Sequence, residues 1–430
     1  MKRLFSISVL AIISITLAVS ARAQSITLDN GRVVSCREAQ GQDQPYPFDL
    51  EDPLPNAPKG YVPFFIEHYG RHGSRFAYDD IYYDIVKQGL DQAEAKGLLT
   101  ARGKTLKADY DSHYPVYHVR MGDLTGIGWQ QQIRLGREMA ENYPEIFRNR
   151  EAGVFAVSSD SRRSMMSMSG FCLGLGQTFP SLTIREDQGY CHLDATQPKS
   201  GNNPNLKTWP QRTNPFTESV DEFCLRKTGA CPKTLGRIFT DPETALEGIG
   251  ASTFIRKLYI VVVGMNSLEP ENRTDFSGIF TDEDLVRMWE VDNYQRYCEY
   301  YNYPIRTTPT LDHMIADADD AIKENRHGAY LRFGHDHVVL PLLVLMRLNG
   351  YTREPENADG ISSVYAGIDC PMAGNIQIVL YRSKRNSDIL VNIRVNGRNA
   401  TVDGLESICP GFYRWEDYKS LFLNSRGETS

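Results

Sequence analysis

Apart from one apolar segment near its N-terminus, the chain has no long apolar segment. It also lacks an internal repeat and a long low-complexity region. After residue 23, no apolar stretch reaches the roughly 20 residues that a membrane-spanning helix needs. Basic residues do not form a stripe, and the 47 Lys and Arg residues are outnumbered by 54 Asp and Glu residues. An acidic chain without a basic stripe argues against nucleic acid as a partner. We therefore predict neither a membrane span nor a nucleic-acid interface.

The sequence also lacks Cys and His residues at the spacings typical of metal sites. There is no CxxC motif and no cluster of Cys and His residues at the spacing of a zinc site. The closest pair of histidines is His335 and His337, and no further ligand candidate of that kind lies near them in the sequence. We therefore predict no metal and no cofactor.

The first 23 residues have the pattern of a cleaved signal peptide. Lys2 and Arg3 precede an apolar segment from residue 4 to residue 19, and Ala21-Arg22-Ala23 offers small residues around a cleavage site. No cysteine adjoins this site, so a lipoprotein anchor is not indicated. Cleavage after Ala23 would remove three positive residues and change the net charge from -7 to -10. We expect an exported protein, periplasmic or secreted.

The cysteines agree with export. All eight follow the predicted cleavage site: Cys36, Cys172, Cys191, Cys224, Cys231, Cys298, Cys370 and Cys409. An even number of cysteines in an exported chain is typical of disulfide bonds. Cys224 and Cys231 could close a small loop, and Cys370 and Cys409 flank the C-terminal strands, but sequence does not fix the connectivity.

Alternating apolar runs and helical patterns predict the fold class. Strand-like runs at 62–69, 152–158, 181–186 and 328–335 are separated by helical stretches such as 129–143. This alternation favours an α/β fold with a mostly parallel central sheet flanked by helices. Two later runs, 375–382 and 389–396, predict an antiparallel hairpin.

The pattern changes between residues 188 and 325. A loop rich in Pro, Asn and Thr (193–218) is followed by helical stretches, of which 246–268 and 282–297 are the clearest. We predict an α/β core formed by residues 24–187 and 326–430, with residues 188–325 inserted as a smaller, mainly helical cap domain.

The most informative motif is Arg71-His72-Gly73-Ser74-Arg75. It ends the apolar run at 62–66, and the C-terminal ends of strands are where open α/β sheets bind ligands. Guanidinium groups fit phosphate oxygens, and a neutral imidazole between them is suited to attack a bound phosphoryl group. The glycine is expected to let the backbone come close to a ligand.

A second polar cluster, Ser159 to Ser167, follows the apolar run at 154–157. Arg163 lies at the start of the next predicted helix, where an anion also meets free backbone N–H groups. Ser167, Gly170 and Gly174 share one face of that helix, which suits close packing on a sheet.

A third cluster is formed by His335-Asp336-His337 at the end of the run that begins at Tyr330. A buried His-Asp pair is costly unless it is paired or functional. Pro341 suits the first turn of the following helix and Gly350 suits its end, and the apolar composition of 342–348 predicts that this helix is buried.

Together, the three clusters resemble the histidine phosphatase superfamily in its acid phosphatase and phytase branch. That family has an RHGxR motif after its first core strand, a third arginine after the second strand, and a late His-Asp pair. The Leu124-Thr125-Gly126-Ile127-Gly128 segment and the region from Cys370 to Asn375 are also similar. The resemblance spans about residues 60–420.

Within the branch, the segments 332–335 and 340–342 look most like multiple inositol polyphosphate phosphatases. That group typically has His-Ala-Glu where this chain has His335-Asp336-His337. The phytase and acid phosphatase group has His-Asp at this position.

The resemblance implies a phosphomonoesterase that forms a phosphohistidine at His72. Arg71, Arg75, Arg163 and His335 are expected to bind the phosphoryl oxygens, and Asp336 is expected to protonate the leaving alcohol. His337 is the alternative proton donor and a predicted substrate contact. The expected partner is a small phosphorylated molecule, with inositol polyphosphates such as phytate favoured.

Other functions remain open on sequence alone. They are a broad-specificity acid phosphatase acting on sugar or other small phosphomonoesters, a phosphomutase, and a non-catalytic phospho-ligand binder. A polyphosphate pocket could draw on basic residues of the insertion, namely Lys199, Lys207, Arg212, Arg226, Lys227, Lys233 and Arg256.

Overall fold

The computed structural model describes residues 25–29, 31–198, 216–301, 304–365 and 369–425. The predicted signal peptide, residues 1–23, lies outside the described residues. The strands are β1 (Ser25–Thr27), β2 (Val33–Ser35), β3 (Tyr61–Arg71), β4 (Gly153–Ser158), β5 (Thr183–Gln188), β6 (Gly328–Gly334), β7 (Asn375–Ser383), β8 (Ile389–Val395), β9 (Arg398–Asn399) and β10 (Tyr413–Arg414).

The helices account for most of the remaining described chain. They are α1 (Asp80–Ala95), α2 (Ala101–Val119), α3 (Gly126–Asn142), α4 (Pro144–Phe147), α5 (Arg162–Thr178), α6 (Leu193–Thr196), α7 (Val220–Thr228), α8 (Pro232–Ile238), α9 (Pro242–Ala245), α10 (Ala251–Gly264), α11 (Asp282–Arg296), α12 (Thr308–Lys323), α13 (Asp336–Leu345), α14 (Ile361–Val364) and α15 (Trp415–Ser425).

The central sheet has the order β10-β8-β7-β3-β6-β4-β5, with β9 paired to β8. Strands β3, β6, β4 and β5 run parallel, whereas β7, β8 and β10 add antiparallel pairs. The predicted α/β fold with a helix-flanked sheet is confirmed, and the late hairpin is β7–β8. The sheet is mixed rather than mostly parallel, because the chain returns antiparallel beside β3. Its parallel half carries the three polar clusters.

Helices α3 and α5 pack closely because both have glycines at their contact. A Cβ on Gly136 would lie 2.0 Å from the Phe171 carbonyl oxygen, and one on Gly174 would lie 2.1 Å from that of Ile133. The small residues of α5 had been predicted to face the sheet. They face α3 instead, since close approach of two helix backbones also requires small side chains.

The described part of residues 188–325 continues from the end of β5 as helices and loops without another strand. Helices α1 and α2, which precede this segment, pack against α10 and α8. The predicted helix at 246–268 is shorter than expected: α10 begins at Ala251, after Gly250 with a φ of 84°. The boundaries of a separate cap domain remain a prediction.

The helix after β6 begins earlier than predicted. α13 starts at Asp336 and ends at Leu345, so Pro341 lies inside it and Gly350 lies beyond its end. The reason is that the strand ends directly at His335, which serves as the N-cap residue, and the helix starts within the polar cluster. Of the apolar residues at 342–348, Leu342, Leu343, Met346 and Leu348 are buried as predicted, whereas Val344 and Leu345 are half-buried.

The cysteine pairings are not shown. Cys224, Cys231, Cys370 and Cys409 are free thiols in the structure, so neither predicted pair is bonded. Among the described helices, each is too short or too polar to span a bilayer.

The α3–α5 contact yields a stability prediction. Gly174→Ala should lower the free energy of unfolding by about 1–3 kcal/mol, because the added methyl overpacks a backbone contact. Gly236→Ala is the matched control, since this helical glycine in α8 has no neighbour within 4 Å of its Cβ position. The control should be neutral or stabilising by up to about 1 kcal/mol. The measurement is urea unfolding of both variants. Equal changes in their free energy of unfolding would contradict this explanation.

Candidate active site

The three predicted clusters meet at the C-terminal ends of adjacent parallel strands. Arg71 at the end of β3 lies opposite Gly334 of β6, so His72 and His335 follow neighbouring strand ends. The His72 N–H donates to the Gly334 carbonyl oxygen at 3.0 Å, and the Ser159 N–H donates to that of Phe333 at 3.0 Å. The sheet therefore brings the predicted catalytic residues to one edge.

His72 has its nucleophilic nitrogen available. Its Nδ1 lies 2.9 Å from the Gly73 carbonyl oxygen, which can only accept, so the proton is on Nδ1 and Nε2 keeps its lone pair. Burial lowers the pKa of His72 well below its usual value, and Arg163 and Arg71 lower it further. The imidazole is therefore neutral, as a nucleophile at phosphorus requires.

The backbone around His72 is fixed by α3 and α5. A Cβ on Gly73 would lie 2.4 Å from the Gly128 carbonyl oxygen, so this glycine allows the approach of α3. The glycine is therefore needed for the contact with α3, and an approach of this backbone to a ligand stays a prediction. The Gly73 N–H donates to Ser167 Oγ at 3.0 Å, and Thr125 donates from its N–H to the Ser74 carbonyl oxygen at 2.9 Å.

Three guanidinium groups surround this histidine with unsatisfied donors. Arg71 and Arg75 are buried, and Arg163 is half-buried. The Nε atoms of all three, together with Nη2 of Arg71, are shielded from solvent and have no hydrogen-bond partner. Burial and the neighbouring Arg75 lower the pKa of Arg163 to about 10. An anion placed among these donors would satisfy them and relieve the mutual repulsion of the cations.

Asp43 supplies part of the compensating charge, although it belongs to no motif that could be recognised in the sequence. Its Oδ1 lies 3.7 Å from Arg71 Nη2 and 3.4 Å from Arg75 Nη2. The neighbouring Gln42 accepts from Arg71 Nη1 through its carbonyl oxygen at 2.6 Å. These contacts orient the two arginines of the motif.

His335 is held between Ser159 and Arg163. Arg163 Nη2 lies 3.5 Å from its Nδ1, and Ser159 Oγ lies 3.1 Å from its Nε2. A guanidinium only donates, so Nδ1 accepts and Nε2 carries the proton. Burial lowers the pKa of His335 well below its usual value, and His337 and Arg163 add to this effect. Its ring is 5.6 Å from that of His72 between centroids.

Asp336, the first residue of α13, is ionised in the absence of substrate. Its Oδ2 accepts from Gln42 Nε2 at 2.8 Å and lies 3.6 Å from Arg71 Nη2 and 3.8 Å from Arg296 Nη1. Burial raises the pKa of Asp336, but Arg71 and Arg296 together lower it more, so the pKa is well below its usual value.

His337 lies at the side of the same cluster. Its ring stacks on that of His335 with centroids 5.0 Å apart and planes 8° from parallel. The Nδ1 atom lies 3.8 Å from Asp336 Oδ1, and Nε2 lies 3.2 Å from Gln197 Nε2. Both candidate proton donors therefore lie within the site.

Arg296 is a second residue that the sequence analysis missed. It ends α11, is 4% exposed, and reaches the Asp336 carboxylate from the helical insertion. Its Nε lies 3.4 Å from Asp292 Oδ1, one helical turn earlier. The only signal in the sequence was this i,i+4 pair, which is common on exposed helices.

A cavity of about 360 Å³ adjoins Arg163 and carries two further arginines. Arg162 lies 3.3 Å from Asp123 and Arg120 lies 3.9 Å from it. In addition, Lys257 Nζ lies 4.5 Å from the centroid of the Tyr82 ring. The Tyr82 hydroxyl is 2.5 Å from that of Tyr78, whose ring faces Arg75.

The basic residues proposed from the insertion have other partners. Arg226, Lys227, Lys233 and Arg256 each form ion pairs with acidic residues. Lys199, Lys207 and Arg212 lie outside the described residues. The positive groups beside the site thus come mainly from Arg120 directly after α2, from Arg162 at the start of α5, and from Lys257 of α10.

Solved structures of similar fold are known. A multiple inositol polyphosphate phosphatase from Bifidobacterium longum, complexed with inositol hexasulfate, has a TM-score of 0.72 at 16% identity, covering 90% of this chain and 97% of that one. A phytase from D. castellii has a TM-score of 0.66 at 15% identity, covering 95% and 88%. A Hafnia alvei phytase in complex with myo-inositol hexakis sulphate has a TM-score of 0.52 at 13% identity, covering 86% and 98%.

These likenesses establish a common fold. No curated protein matches the chain significantly in sequence. The family model of the histidine phosphatase superfamily, branch 2, matches residues 70–396, which include every predicted site residue. The chain therefore belongs to branch 2 of the histidine phosphatase superfamily.

Proposed function

We propose that this histidine phosphatase is an exported phosphomonoesterase that acts on inositol polyphosphates such as phytate through a phosphohistidine at His72. The observation that carries the proposal is the free Nε2 of a neutral imidazole beside four guanidinium nitrogens without hydrogen-bond partners. This arrangement is complementary to a phosphoryl group, because fixed cations stabilise charge on its oxygens without reorganisation.

In the first step, Arg71, Arg75 and Arg163 hold the phosphoryl oxygens while His72 Nε2 attacks phosphorus. The P–N bond forms, the bond from phosphorus to the alcohol oxygen breaks, and the alcohol takes a proton from Asp336. In the second step, water attacks phosphorus and gives a proton back to Asp336, the P–N bond breaks, and inorganic phosphate leaves with His72 restored as a neutral imidazole. The proton stays on His72 Nδ1 throughout and is donated to the Gly73 carbonyl oxygen.

Asp336 has to gain its proton when substrate binds. Without substrate the carboxylate is ionised, since Arg71 and Arg296 outweigh the effect of burial on its pKa. A bound phosphate ester offsets the charge of these arginines and so raises the pKa of Asp336. A monoanionic substrate can also bring the proton into the site. His337 remains the alternative donor, at the position where the inositol polyphosphate subgroup has glutamate.

Positive groups outside the phosphoryl site support a substrate with several phosphates. Arg120 and Arg162 border the cavity next to Arg163, and Lys257 contacts the ring of Tyr82, whose hydroxyl lies beside that of Tyr78. Two of the structurally similar enzymes were solved with inositol hexasulfates, polyanions with six charged groups. The alternative, a broad-specificity acid phosphatase, needs only the central site.

Export is part of the proposal and rests on the sequence of residues 1–23. A phosphomutase is less favoured, because its phosphoglycerate substrates are cytoplasmic. A non-catalytic binder is less favoured because the nucleophile and all three arginines are retained in working geometry.

His72→Ala should lower kcat by several orders of magnitude while leaving the fold intact, because the side chain forms the covalent bond in the reaction. The measurement is phosphate release from nitrophenyl phosphate, with circular dichroism as the check on folding. Turnover close to that of the wild type in a folded variant would remove His72 from the proposed role.

The two candidate proton donors are distinguished by the leaving group. Asp336→Asn should slow phytate hydrolysis at least about tenfold more than nitrophenyl phosphate hydrolysis, since nitrophenolate departs without a proton. His337→Ala should show a much smaller difference between the substrates. The opposite ranking would assign the donor role to His337.

The polyphosphate substrate is tested by removing single charges outside the phosphoryl site. Arg162→Gln and Lys257→Gln should each lower kcat/KM for phytate about tenfold, the size of one lost charge-assisted hydrogen bond. Hydrolysis of nitrophenyl phosphate should change less than about twofold, because this substrate reaches only the central site. Lys233→Gln is the control, since Lys233 pairs with the exposed Glu283. Equal effects on both substrates would favour the broad-specificity alternative.

A further inference from the structure

Three side chains with metal-binding atoms meet at the end of the edge strand β5, outside the phosphoryl site. They are Asp187, Cys191 and His192, and their ligand atoms all lie within 4.8 Å of one another. Within the part of the chain that the structure describes, no other group of three or more His, Cys, Asp or Glu side chains has its ligand atoms this close together. Asp187 and Cys191 are exposed and His192 is half-buried, so a cation can reach them from solvent.

The backbone holds this group in place before any ion binds. The His192 N–H donates to the Gly189 carbonyl oxygen at 3.1 Å, and the His192 carbonyl accepts from Thr196 Oγ1 at 2.7 Å. Asp187 Oδ1 accepts from the Gln188 N–H at 2.8 Å, which directs Oδ2 towards the histidine. Gly189 has a φ of 112°, a conformation that turns the chain back over the end of the strand.

The His192 nitrogen that faces Asp187 and Cys191 has no hydrogen-bond partner outside this group. His192 Nε2 is shielded from solvent, lies 3.0 Å from Asp187 Oδ2, and makes no well-aligned hydrogen bond. A buried polar nitrogen without a hydrogen bond is unfavourable unless something else satisfies it. A cation bound between the nitrogen, the carboxylate and the thiolate of Cys191 would do so.

We propose that Asp187, Cys191 and His192 bind a divalent transition metal ion of the zinc class. Thiolate and imidazole ligands favour zinc and its neighbours, whereas calcium and magnesium prefer oxygen ligands. Zinc binds sulfur at about 2.3 Å and nitrogen or oxygen at about 2.0–2.2 Å, so tetrahedral ligand atoms lie about 3.3–3.8 Å apart. The observed group needs an inward shift of only about 1 Å to reach that geometry, and water completes the fourth position.

The ion lies outside the phosphoryl site, next to the segment that leads into α6, and has no part in the chemistry of that site. The turn that carries Cys191 and His192 leads into α6, where the Thr196 carbonyl accepts from the Tyr69 hydroxyl at 2.5 Å. The Tyr69 hydroxyl also accepts from the His335 N–H at 3.2 Å. A bound ion therefore stabilises the segment on which the position of His335 depends.

No metal was predicted, because the cysteines and histidines show no spacing typical of a zinc site. Cys191 and His192 are adjacent, and Asp187 becomes a neighbour only through the turn at Gly189. This spacing does not match a structural zinc site of four ligands.

The test is a cobalt titration of the whole reduced chain after removal of bound metals. Co²⁺ should bind with a stoichiometry of one per chain and give the near-ultraviolet charge-transfer absorption of a cobalt–thiolate bond, which Zn²⁺ should abolish by displacement. Cys191→Ser should lose this absorption, and His192→Ala should weaken Co²⁺ binding at least about 100-fold. The melting temperature of the wild-type chain should rise with Zn²⁺, but not that of the variants.

Two matched controls test whether the site is specific. His113→Ala removes another half-buried histidine that faces a carboxylate, with Nδ1 3.5 Å from Asp109 Oδ1 but no thiol beside it. Cys36→Ser removes another accessible thiol. Both should bind Co²⁺ like the wild type. Absence of the thiolate band in the wild type, its survival in Cys191→Ser, or its loss in either control would overturn the proposal, whatever the phosphatase assay shows.

Discussion

The accumulation of positive charge around a neutral histidine is the constraint on which the active site depends. Arg71, Arg75 and Arg163 approach His72 in a largely buried region, where an unpaired ion costs several kcal/mol. Asp43 and Asp336 compensate part of this charge, but donors on all three arginines still lack partners. The site is therefore incomplete without an anion, and the same charge keeps the imidazole unprotonated.

The architecture holds these cations at their positions against their mutual repulsion. Parallel pairing of β3 with β6 and of β6 with β4 fixes the three strand ends. The close packing of Gly73 on Gly128 holds the segment from Arg71 to Arg75 against α3. Arg296 adds a contact from the helical insertion to Asp336, so the protonation of this carboxylate depends on an element far away in the sequence. Helix α11 thereby contributes to the electrostatics of the site.

The strands, the three clusters and their convergence were predictable because each depends on a local pattern. Apolar runs that end in polar residues mark strand ends, and parallel strands bring those ends to one edge. Asp43 and Arg296 were missed because nothing in their local sequence shows that the fold brings them to Arg71 and Asp336. The start of α13 was misjudged because Pro341 was interpreted as a first-turn residue, whereas the helix already begins at Asp336. The same limitation hid the group formed by Asp187, Cys191 and His192.

His72 Nε2 is expected to become phosphorylated during turnover. This is tested most directly by locating the phosphoryl group. The enzyme is mixed with substrate, quenched in alkali within milliseconds to preserve phosphohistidine, and digested for mass spectrometry and ³¹P nuclear magnetic resonance. We expect a phosphoryl group on His72, bonded to Nε2, because Nδ1 donates its proton to the Gly73 carbonyl oxygen. A phosphoryl group on Nδ1, on His335 or on His337, or no covalent intermediate during rapid turnover, would contradict it.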